Sequence, residues 1–445
     1  MSRPHVLYVT PMLGYPAFGG PRLRTYNTLK ALARCADVSL FVTQQPDTAD
    51  REAARRHLLT FCRAVVFPEP PQMPTGPAAV ARRLVRHSVP EPLRRIRRAV
   101  SLGAMTILRG WGRAPSGPTV ETPPPARSPE QVEALKTWID THRPDLLWLG
   151  FGGISYDLIP LKQHAGVPLV LETECVWSRF ILRELPFATD AAGRERILAE
   201  GSAKEAEERA GASLVDMTTA VSDIDADYFR ALIPDAGRVM LLANVIDVDS
   251  YVADTSRPVQ LEQPALVFAG TLSRGTANVD AAEWLLDEVM SLVWRTRPDV
   301  HVYIVGRSPA PAIVARRGPR VHITGEVPSV VPYMRAARAA LVPLRWESGT
   351  RFKILEAFAC QTPVISTTLG AEGLDVEHGR HLLLADEPEA FAAAILSVLD
   401  DASRGQRLVG PAYELVRQDY DVSSAERQIR QILHRLGVAE RVATS

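Results

Sequence analysis

The sequence predicts an α/β protein built from two Rossmann-like domains. Short apolar runs alternate with helical stretches in the first half of the chain, and the alternation starts again after an irregular, proline-containing segment at 244–264. Runs that are apolar on both faces and separated by helices are typical of parallel sheets covered by helices. A length of 445 residues agrees with two or three domains. We therefore expect one domain at 1–250, a second at 262–410, and a hinge between them.

The elements of the first domain follow one another along the chain. HVLYVT at 5–10 indicates a strand, and a loop containing glycine and proline follows at 14–21. RLRTYNTLKALARC at 22–35 has the pattern of a helix. Further short apolar runs predict the remaining strands: DVSLFVT at 37–43, DLLWLGF at 145–151 and PLVLET at 168–173. This order predicts a parallel sheet.

A proline- and arginine-rich insert at 68–130 interrupts this domain, and it holds 13 of the 35 prolines. Within it, 81–113 carries nine arginines and one acidic residue, so a local charge of +8 is hidden in a chain whose net charge is zero. Its apolar residues fall on one helical stripe. Two interpretations stay open: a helix packed on its own domain with solvated arginines, or a helix that lies on an anionic membrane surface.

The second domain repeats the alternation. PALVFAGT at 264–271 indicates its first strand, and VDAAEWLLDEVMSLVWRT at 279–296 indicates an amphipathic helix. Further predicted elements are VHVYIVGR at 300–307, VHITGEV at 321–327, the helix RFKILEAFACQ at 351–361 and the strand PVISTT at 363–368. We expect the last helices, 411–445, to return to the first domain.

Composition bounds the functions that are open to this chain. Basic and acidic residues number 51 each, and no basic pattern interleaved with aromatics indicates a nucleic-acid partner. The four cysteines stand far apart and the histidines, His322 among them, lack the spacing of metal ligands. No apolar stretch reaches the roughly 18 residues of a membrane span, and the apolar run at 6–9 is too short for a signal peptide. We expect a cytoplasmic protein without a metal or cofactor.

The segment 343–356, PLRWESGTRFKILE, is the strongest candidate for a ligand site. A strand ends at Leu344, a polar loop containing Gly349 follows, and a helix is predicted to begin near Thr350 or Arg351. Glycine lets backbone N–H groups approach a ligand closely, and Arg351 and Lys353 add positive charge beside a helix N-terminus. Such a helix start would stabilise a diphosphate.

This segment also carries a resemblance to a known family. GTRFKILEAFACQTPVISTTLGAEGL at 349–374, followed by HGRHLLLAD at 378–386, resembles the donor-binding segment of family-four retaining glycosyltransferases of the GT-B fold, in their Gly-Thr-Arg-x-Lys-x-Leu-Glu-Ala branch. The first strand, glycine loop and helix, AVSDIDADYF at 220–229 and LANVIDVDSY at 242–251 are similar to other segments of that family. The resemblance spans most of the chain except 68–130. It implies two Rossmann-like domains facing across a cleft, with the acceptor bound by the first and a nucleotide sugar by the second.

The resemblance assigns roles residue by residue. It implies that Glu356 binds the donor ribose hydroxyls and that Lys353 and Arg274 are the cations beside the diphosphate. Other residues are expected to approach the donor through backbone or side chain: Gly19, Gly20, Gly306, Arg307, Val327, Ser348, Gly349 and Thr350.

Two positions depart from the family pattern. The family often has a glutamate eight positions before Glu356, where this chain has Ser348, and Glu347 stands one position out of register. Glu174 stands roughly where relatives carry a histidine near the donor. The expected catalytic residues are Glu174, Arg274 and Lys353. Of the three, Glu174 departs furthest from the family pattern.

The function implied by the resemblance is retaining, metal-independent transfer of a sugar from a nucleotide diphosphate sugar to a glycan, lipid-linked or natural-product acceptor. The Asp-x-Asp triplets at 223–227 and 247–249 are interpreted as helix-capping and solvated residues rather than metal ligands. Two alternatives stay open: a non-catalytic partner subunit with the same fold, and an enzyme that acts on the nucleotide sugar itself. A location at the inner face of the membrane would follow if 81–113 binds lipid.

Overall fold

The structure is a computed structural model that describes residues 3–17, 19–43, 48–67 and 127–438, with 48–50 described by their backbone alone. Nearly all of the predicted insert at 68–130, including the basic stretch 81–113, lies outside the described residues. Within them, none of the helices combines the length and the apolar character needed to cross a bilayer.

The first sheet confirms the predicted parallel arrangement. In the described part of the chain, seven parallel strands pair in the order β3-β2-β1-β4-β5-β6-β7. Its core strands are buried on both faces, which explains their continuous apolar sequence. The strands are β1 (His5–Thr10), β2 (Asp37–Val42), β3 (Ala64–Val66), β4 (Leu146–Leu149), β5 (Leu169–Glu172), β6 (Met217–Ala220) and β7 (Val239–Leu241).

The second sheet has the same winding. Its described strands are also parallel and pair in the order β10-β9-β8-β11-β12-β13. Both orders reverse direction beside their first strand, which is the switch point where ligands bind in such folds. The strands are β8 (Ala265–Ala269), β9 (His301–Val305), β10 (Val321–Gly325), β11 (Ala339–Val342), β12 (Val364–Ser366) and β13 (Leu383–Leu384).

Helices connect and cover the strands of both sheets. Those up to the hinge are α1 (Gly20–Cys35), α2 (Thr48–Leu58), α3 (Pro129–His142), α4 (Leu161–Ala165), α5 (Trp177–Leu182), α6 (Ala191–Leu214), α7 (Asp223–Leu232) and α8 (Val248–Val252). Those that follow are α9 (Ala277–Trp284), α10 (Met290–Thr296), α11 (Pro311–Val314), α12 (Val331–Ala336), α13 (Phe352–Ala359), α14 (Pro388–Asp400), α15 (Ala402–Asp419) and α16 (Val422–Arg435). A π-helical turn at Leu285–Val289 joins α9 to α10, and short 3₁₀ turns lie at Gly152–Ile154, Tyr156–Leu158, Leu185–Phe187 and Ala236–Arg238.

The C-terminal helices divide between the two sheets. Helix α15 packs against α13 and α14, so residues 411–419 stay with the second sheet. Helix α16 packs along α1, where the side chain of Cys35 contacts the carbonyl of Glu426. Near Asp421, whose backbone pairs with that of Ile246, the chain passes from α15 to α16 on the first sheet's side.

Candidate active site

The two sheets meet through loops at the carboxyl ends of their strands. A Cβ placed on Gly20, at the start of α1, would lie 3.3 Å from the ring of Phe352 at the start of α13. A Cβ on Gly349 would lie 2.9 Å from the carbonyl oxygen of Glu174 and 3.0 Å from the Cβ of Cys175. Three loops, after β1, β5 and β11, thus converge on one cleft, which is where parallel α/β folds bind ligands.

The loop at 345–351 is held in shape by its own arginine. The Arg351 guanidinium is buried and donates to the carbonyl oxygens of Ser348, at 2.8 Å, and of Gly349. Its Nε lies 3.3 Å from a carboxylate oxygen of Glu347. Gly349 has φ +79°, a conformation that a residue with a Cβ adopts at a cost. Arg351 therefore serves the loop, whereas the sequence predicts that its charge lies beside the ligand.

Lys353 and Glu356 lie one turn apart on α13 and share one face of it. The Lys353 ammonium donates to Oδ1 of Asn278 at 2.6 Å and lies 4.7 Å from the ring of Phe268. Burial lowers the pKa of Lys353 to about 8. Glu356 accepts a hydrogen bond from the hydroxyl of Tyr251 at 3.0 Å, and burial raises the pKa of its carboxyl to about 7. Both groups keep capacity for further hydrogen bonds.

Ser348 and Thr350, which flank Gly349, have different surroundings. The Ser348 hydroxyl is buried and has no hydrogen-bond partner among the described residues. Thr350 accepts from the Nδ2 of Asn244 through its hydroxyl at 2.8 Å, and Asn244 lies on the first-sheet side of the hinge. Thr350 therefore joins the loop to the opposite wall of the cleft, while the hydroxyl of Ser348, two residues earlier, remains available for a hydrogen bond.

A buried ionic network continues from Asn244 into the first sheet. The Asn244 side-chain oxygen accepts from Arg24 at 2.8 Å, and the Arg24 Nε lies 3.0 Å from the carboxylate of Glu172. Glu172 also accepts hydrogen bonds from Tyr8 at 3.0 Å, Thr28 at 3.1 Å and Trp148 at 2.6 Å. Sequence reasoning missed this network because its members come from separate segments of the chain.

Glu174 lies at the contact between the walls, in the loop after β5. One of its oxygens accepts from the Trp177 indole at 2.6 Å, and the other is buried without a hydrogen-bond partner among the described residues. Burial is the main reason why the pKa of this carboxyl is raised to about 7. Because its backbone carbonyl faces Gly349, the structure brings Glu174 next to the candidate loop.

An ion pair joins the two walls beside the Gly349 loop. The Arg183 guanidinium, which follows α5, binds both carboxylate oxygens of Glu372 at 2.7 and 2.8 Å. It also donates to the backbone carbonyl of Glu347 at 2.7 Å. A bidentate arginine–carboxylate pair has a defined geometry, so this contact fixes the approach of the walls. No sequence signal pointed to it.

The other predicted donor residues lie in segments that follow the carboxyl ends of β1, β8, β9 and β10. Gly19 has φ +73° and open space where a Cβ would be. Arg274 lies in an exposed turn after β8 and forms no hydrogen bond or ion pair with the described residues. Its side chain is therefore available to an anion.

Three of the predicted positions follow β9 and β10. Gly306 follows β9 directly, and a Cβ there would overlap the carbonyl oxygen of Gly270. Arg307 donates to Thr271 at 3.3 Å. Val327 is partly buried and packs on the main apolar core.

The acidic triplets are bound by side chains of the protein. Asp225 forms an ion pair with Arg179 at 3.3 Å at the start of α7, where Ser222 caps the helix. Asp247 forms an ion pair with Lys30 of α1. Asp225 and Asp247 are therefore paired with cations, and the predicted capping and solvated roles are wrong for them: Ser222 caps α7, and the Asp247 side chain makes no capping hydrogen bond at α8.

One part of the chain matches known proteins in sequence, and nearly the whole chain is similar to solved structures in fold. Residues 263–401 match the family model described as glycosyl transferases group 1. A protein of Klebsiella pneumoniae, described as an uncharacterized 44.6 kDa protein in the cps region, is 24% identical over 165 residues. That match covers 35% of this chain and 42% of the Klebsiella protein, so it spans less than half of that relative.

Two solved structures are similar over nearly the whole chain. Anabaena Alr3699/HepE, crystallised with UDP-glucose, has a TM-score of 0.62 and 15% identity over 97% of this chain and 99% of its own. Sucrose-phosphate synthase from Thermosynechococcus elongatus has a TM-score of 0.63 and 18% identity over 98% of this chain and 100% of its own. With the two parallel sheets, these likenesses confirm the predicted two-domain GT-B fold.

Proposed function

We propose that this protein is a retaining glycosyltransferase that moves a sugar from a nucleotide diphosphate sugar to an acceptor. The single observation that carries the proposal is the Gly349 loop and its helix α13, which present Lys353 and Glu356 side by side in the cleft. The glycosyl transferase group 1 match covers this segment, and the fold is that of GT-B glycosyltransferases.

The proposed chemistry is stabilisation of the leaving nucleoside diphosphate. Lys353 and Arg274 supply positive charge, and the N-terminus of α13 with the Gly349 loop supplies backbone N–H groups. Fixed donors aimed at charge that develops during bond cleavage are effective, since they need no reorganisation as the reaction proceeds. As the bond from the anomeric carbon to the diphosphate oxygen breaks, the acceptor hydroxyl oxygen bonds to that carbon from the same face and its proton passes to the departing diphosphate oxygen, so the anomeric configuration is retained. These groups would neutralise the diphosphate without a metal ion.

Glu356 is the proposed ribose ligand. Its carboxyl has one hydrogen bond, from Tyr251, among the described residues, and it lies beside the proposed phosphate cation Lys353. Two vicinal hydroxyls of a ribose would supply the missing donors to the carboxylate. Tyr251 keeps its proton because burial and the nearby Glu356 raise its pKa, so it remains a hydrogen-bond donor.

Glu174 is the proposed contact to the transferred sugar or the acceptor. Its free oxygen is buried beside the Gly349 loop, where an unsatisfied carboxyl is costly unless a ligand pairs with it. A sugar hydroxyl at this place would complete its hydrogen bonds.

The first test is a panel of nucleotide diphosphate sugars, starting with UDP-glucose, screened by thermal shift. We expect one donor to stabilise the protein and to release its nucleoside diphosphate when an acceptor is present. Glu356→Ala should abolish the shift, while Glu133→Ala, on an exposed face of α3, should keep it. Product anomeric configuration by NMR tests retention, and EDTA tests metal independence. No shift and no release with any donor would contradict the proposal, and binding without turnover would favour a partner subunit.

A further inference from the structure

Three potential metal ligands meet at the edge of the second sheet opposite the cleft. Glu262 precedes β8, His301 is the first residue of β9, and His322 is the second residue of β10. The strands are parallel, so all three side chains lie at the amino ends, far from the proposed donor site. The 21 and 39 residues that separate them explain why no metal-ligand spacing was visible in the sequence.

The distances between the ligand atoms suit a small cation. Nδ1 of His301 lies 3.1 Å from Nε2 of His322. Each imidazole has its Nε2 3.8 Å from a carboxylate oxygen of Glu262. One ligand atom from each residue lies within 4.8 Å of the other two. A tetrahedral zinc ion with bonds of about 2.0–2.1 Å separates its ligand atoms by about 3.3 Å, so a small rotation of the Glu262 side chain completes the set.

The surrounding structure holds the two strand ligands in place. The His322 ring stacks on Tyr303, with centroids 4.3 Å apart and planes 11° from parallel. The hydroxyl of Tyr303 accepts the backbone N–H of Glu262 at 2.9 Å. One aromatic side chain therefore positions both the imidazole and the backbone of the carboxylate residue. The Glu262 side chain is 64% exposed and free to turn inward.

The electrostatics of the cluster favour a cation over a second proton. Two ring nitrogens that face each other at 3.1 Å repel unless a proton or a cation lies between them. Asp299, two residues before His301, is bound to Arg297 and so adds little negative charge. Neutral imidazoles are the form that binds metal.

We propose that Glu262, His301 and His322 bind one Zn²⁺ or a similar transition-metal ion, with water at the remaining position. Imidazole nitrogen with one carboxylate oxygen is a donor set suited to zinc. The ion would tie the segment that enters the second domain after the hinge to two strands of its sheet. Its role is structural, since the site lies at the opposite edge of the sheet from the cleft, and it does not depend on the proposed transferase activity.

The test is a titration of the chelator-treated full chain with Zn²⁺ alone, followed by calorimetry and thermal unfolding. We expect one ion per chain and a rise in Tm as Zn²⁺ is added, because an ion that binds only the folded chain stabilises it. Co²⁺ in place of Zn²⁺ should give the visible absorption of a tetrahedral site. His322→Ala should lower the affinity at least ~10-fold, because even outer-shell changes weaken metal sites by roughly 10–100-fold.

Two further variants distinguish binding at this cluster from binding elsewhere on the chain. Glu262→Gln alters an exposed side chain, so it should weaken Zn²⁺ binding and leave the metal-free Tm unchanged. His164→Ala removes a partly exposed histidine that pairs with Asp140 on the first domain, and it should leave Zn²⁺ binding unchanged. Equal stoichiometry and affinity in the wild type, His322→Ala and Glu262→Gln, or no binding at micromolar Zn²⁺, would overturn the proposal.

Discussion

Each wall of the cleft carries a glutamate, buried in the case of Glu172 and half-buried in the case of Glu356, and the two carboxylates have very different surroundings. Glu172, in the first sheet, is 1% exposed and receives three hydrogen bonds and an ion pair from Arg24. Among the residues that the structure describes, Glu356, on α13, receives one hydrogen bond, from Tyr251. A buried carboxylate whose lone pairs are all used stabilises the fold, whereas one with unused lone pairs is available to a ligand. The contrast separates a structural from a binding role on chemical grounds.

The largest loss of stability is expected from removing the Glu172 carboxylate, whose hydrogen-bonding positions are all occupied. Glu172→Ala leaves Arg24 buried without its charge partner, and breaking a buried pair in this way costs about 3–5 kcal/mol. Urea unfolding should show this loss, while Glu133→Ala on the exposed face of α3 should stay within about 0.5 kcal/mol of the wild type. If Glu172→Ala kept full stability and lost donor binding instead, the distinction between the two glutamates would be wrong.

Glu356 should respond in the opposite way. Glu356→Gln keeps the shape and the Tyr251 contact but would weaken the two charge-assisted hydrogen bonds that we propose to a ribose, each worth about 1.5–3 kcal/mol. Donor affinity should fall by roughly 10–100-fold in calorimetry, with stability at pH 8 unchanged or raised, since burial disfavours the charged form. A loss of stability with unchanged donor affinity would place Glu356 in the same class as Glu172.

The pH dependence sharpens this contrast. The pKa of Glu356 is raised to about 7 and that of Lys353 is lowered to about 8. Donor affinity should therefore be highest between about pH 7 and 8, falling on the acid side as Glu356 gains a proton and on the alkaline side as Lys353 loses one. Since the folded Glu356 holds a proton more tightly than the unfolded one, its contribution to stability is present below its ordinary pKa and is lost as the pH rises through about 7. Glu356→Gln should remove the acid limb of the binding profile, and an unchanged profile would contradict this assignment.

The variant Gly349→Ala tests whether the contact between the Gly349 loop and Glu174 is needed for sugar transfer. Gly349→Ala puts a Cβ at φ +79° and 2.9 Å from the Glu174 carbonyl, and the conformation alone costs roughly 1–2 kcal/mol. We expect kcat/KM to fall by about tenfold, since the new Cβ would also push the Gly349 loop away from Glu174 and disturb the approach of the two walls. Gly379→Ala is the matched control, because Gly379 has φ +78° and open space around it. Equal effects of the two changes would mean that strain, and not the contact with Glu174, matters.

The smallest effect on donor binding is expected from changing Asn244, which links the Glu172 network to the Gly349 loop. Asn244→Ala removes the hydrogen bond to the Thr350 hydroxyl, which is worth about 0.5–1.5 kcal/mol, and one acceptor of Arg24, whose guanidinium keeps its ion pair with Glu172. If the link positions the loop, donor KM should rise by several-fold with kcat retained. Asn27→Ala is the matched control, since that buried amide bonds within the first-sheet side, to the carbonyl of Val245 at 2.7 Å. An unchanged KM in Asn244→Ala would show that the two walls act independently.

The parts of the site that sequence reasoning located are contiguous. Gly349, Lys353 and Glu356 stand within eight residues, and their strand–loop–helix context is set by local pattern, so their common location was predictable. The start of α13 differs from the predicted helix start by only one or two residues. The inward turn of Arg351 was not predictable, because it depends on carbonyl groups whose direction only the folded loop determines.

The parts that were missed are distant in sequence. Tyr251 reaches Glu356 over 105 residues, and Asn278 reaches Lys353 over 75. Residues so far apart in the sequence come into contact only when the two domains pack together in one defined orientation. Propensity and hydrophobic period carry no information about such pairs.

The sequence by itself determined the α/β class, the two sheets, and the position of the segment that we propose to bind the donor. It could do so because apolar period and turn chemistry act over a few residues. Only the tertiary structure decided that the hydrogen-bonding positions of Glu172 are occupied while those of Glu356 stay available. It also decided that His301 and His322 meet at the opposite edge of the second sheet. Those outcomes depend on partners from distant segments, and the parallel register and the packing of the two domains bring those partners together.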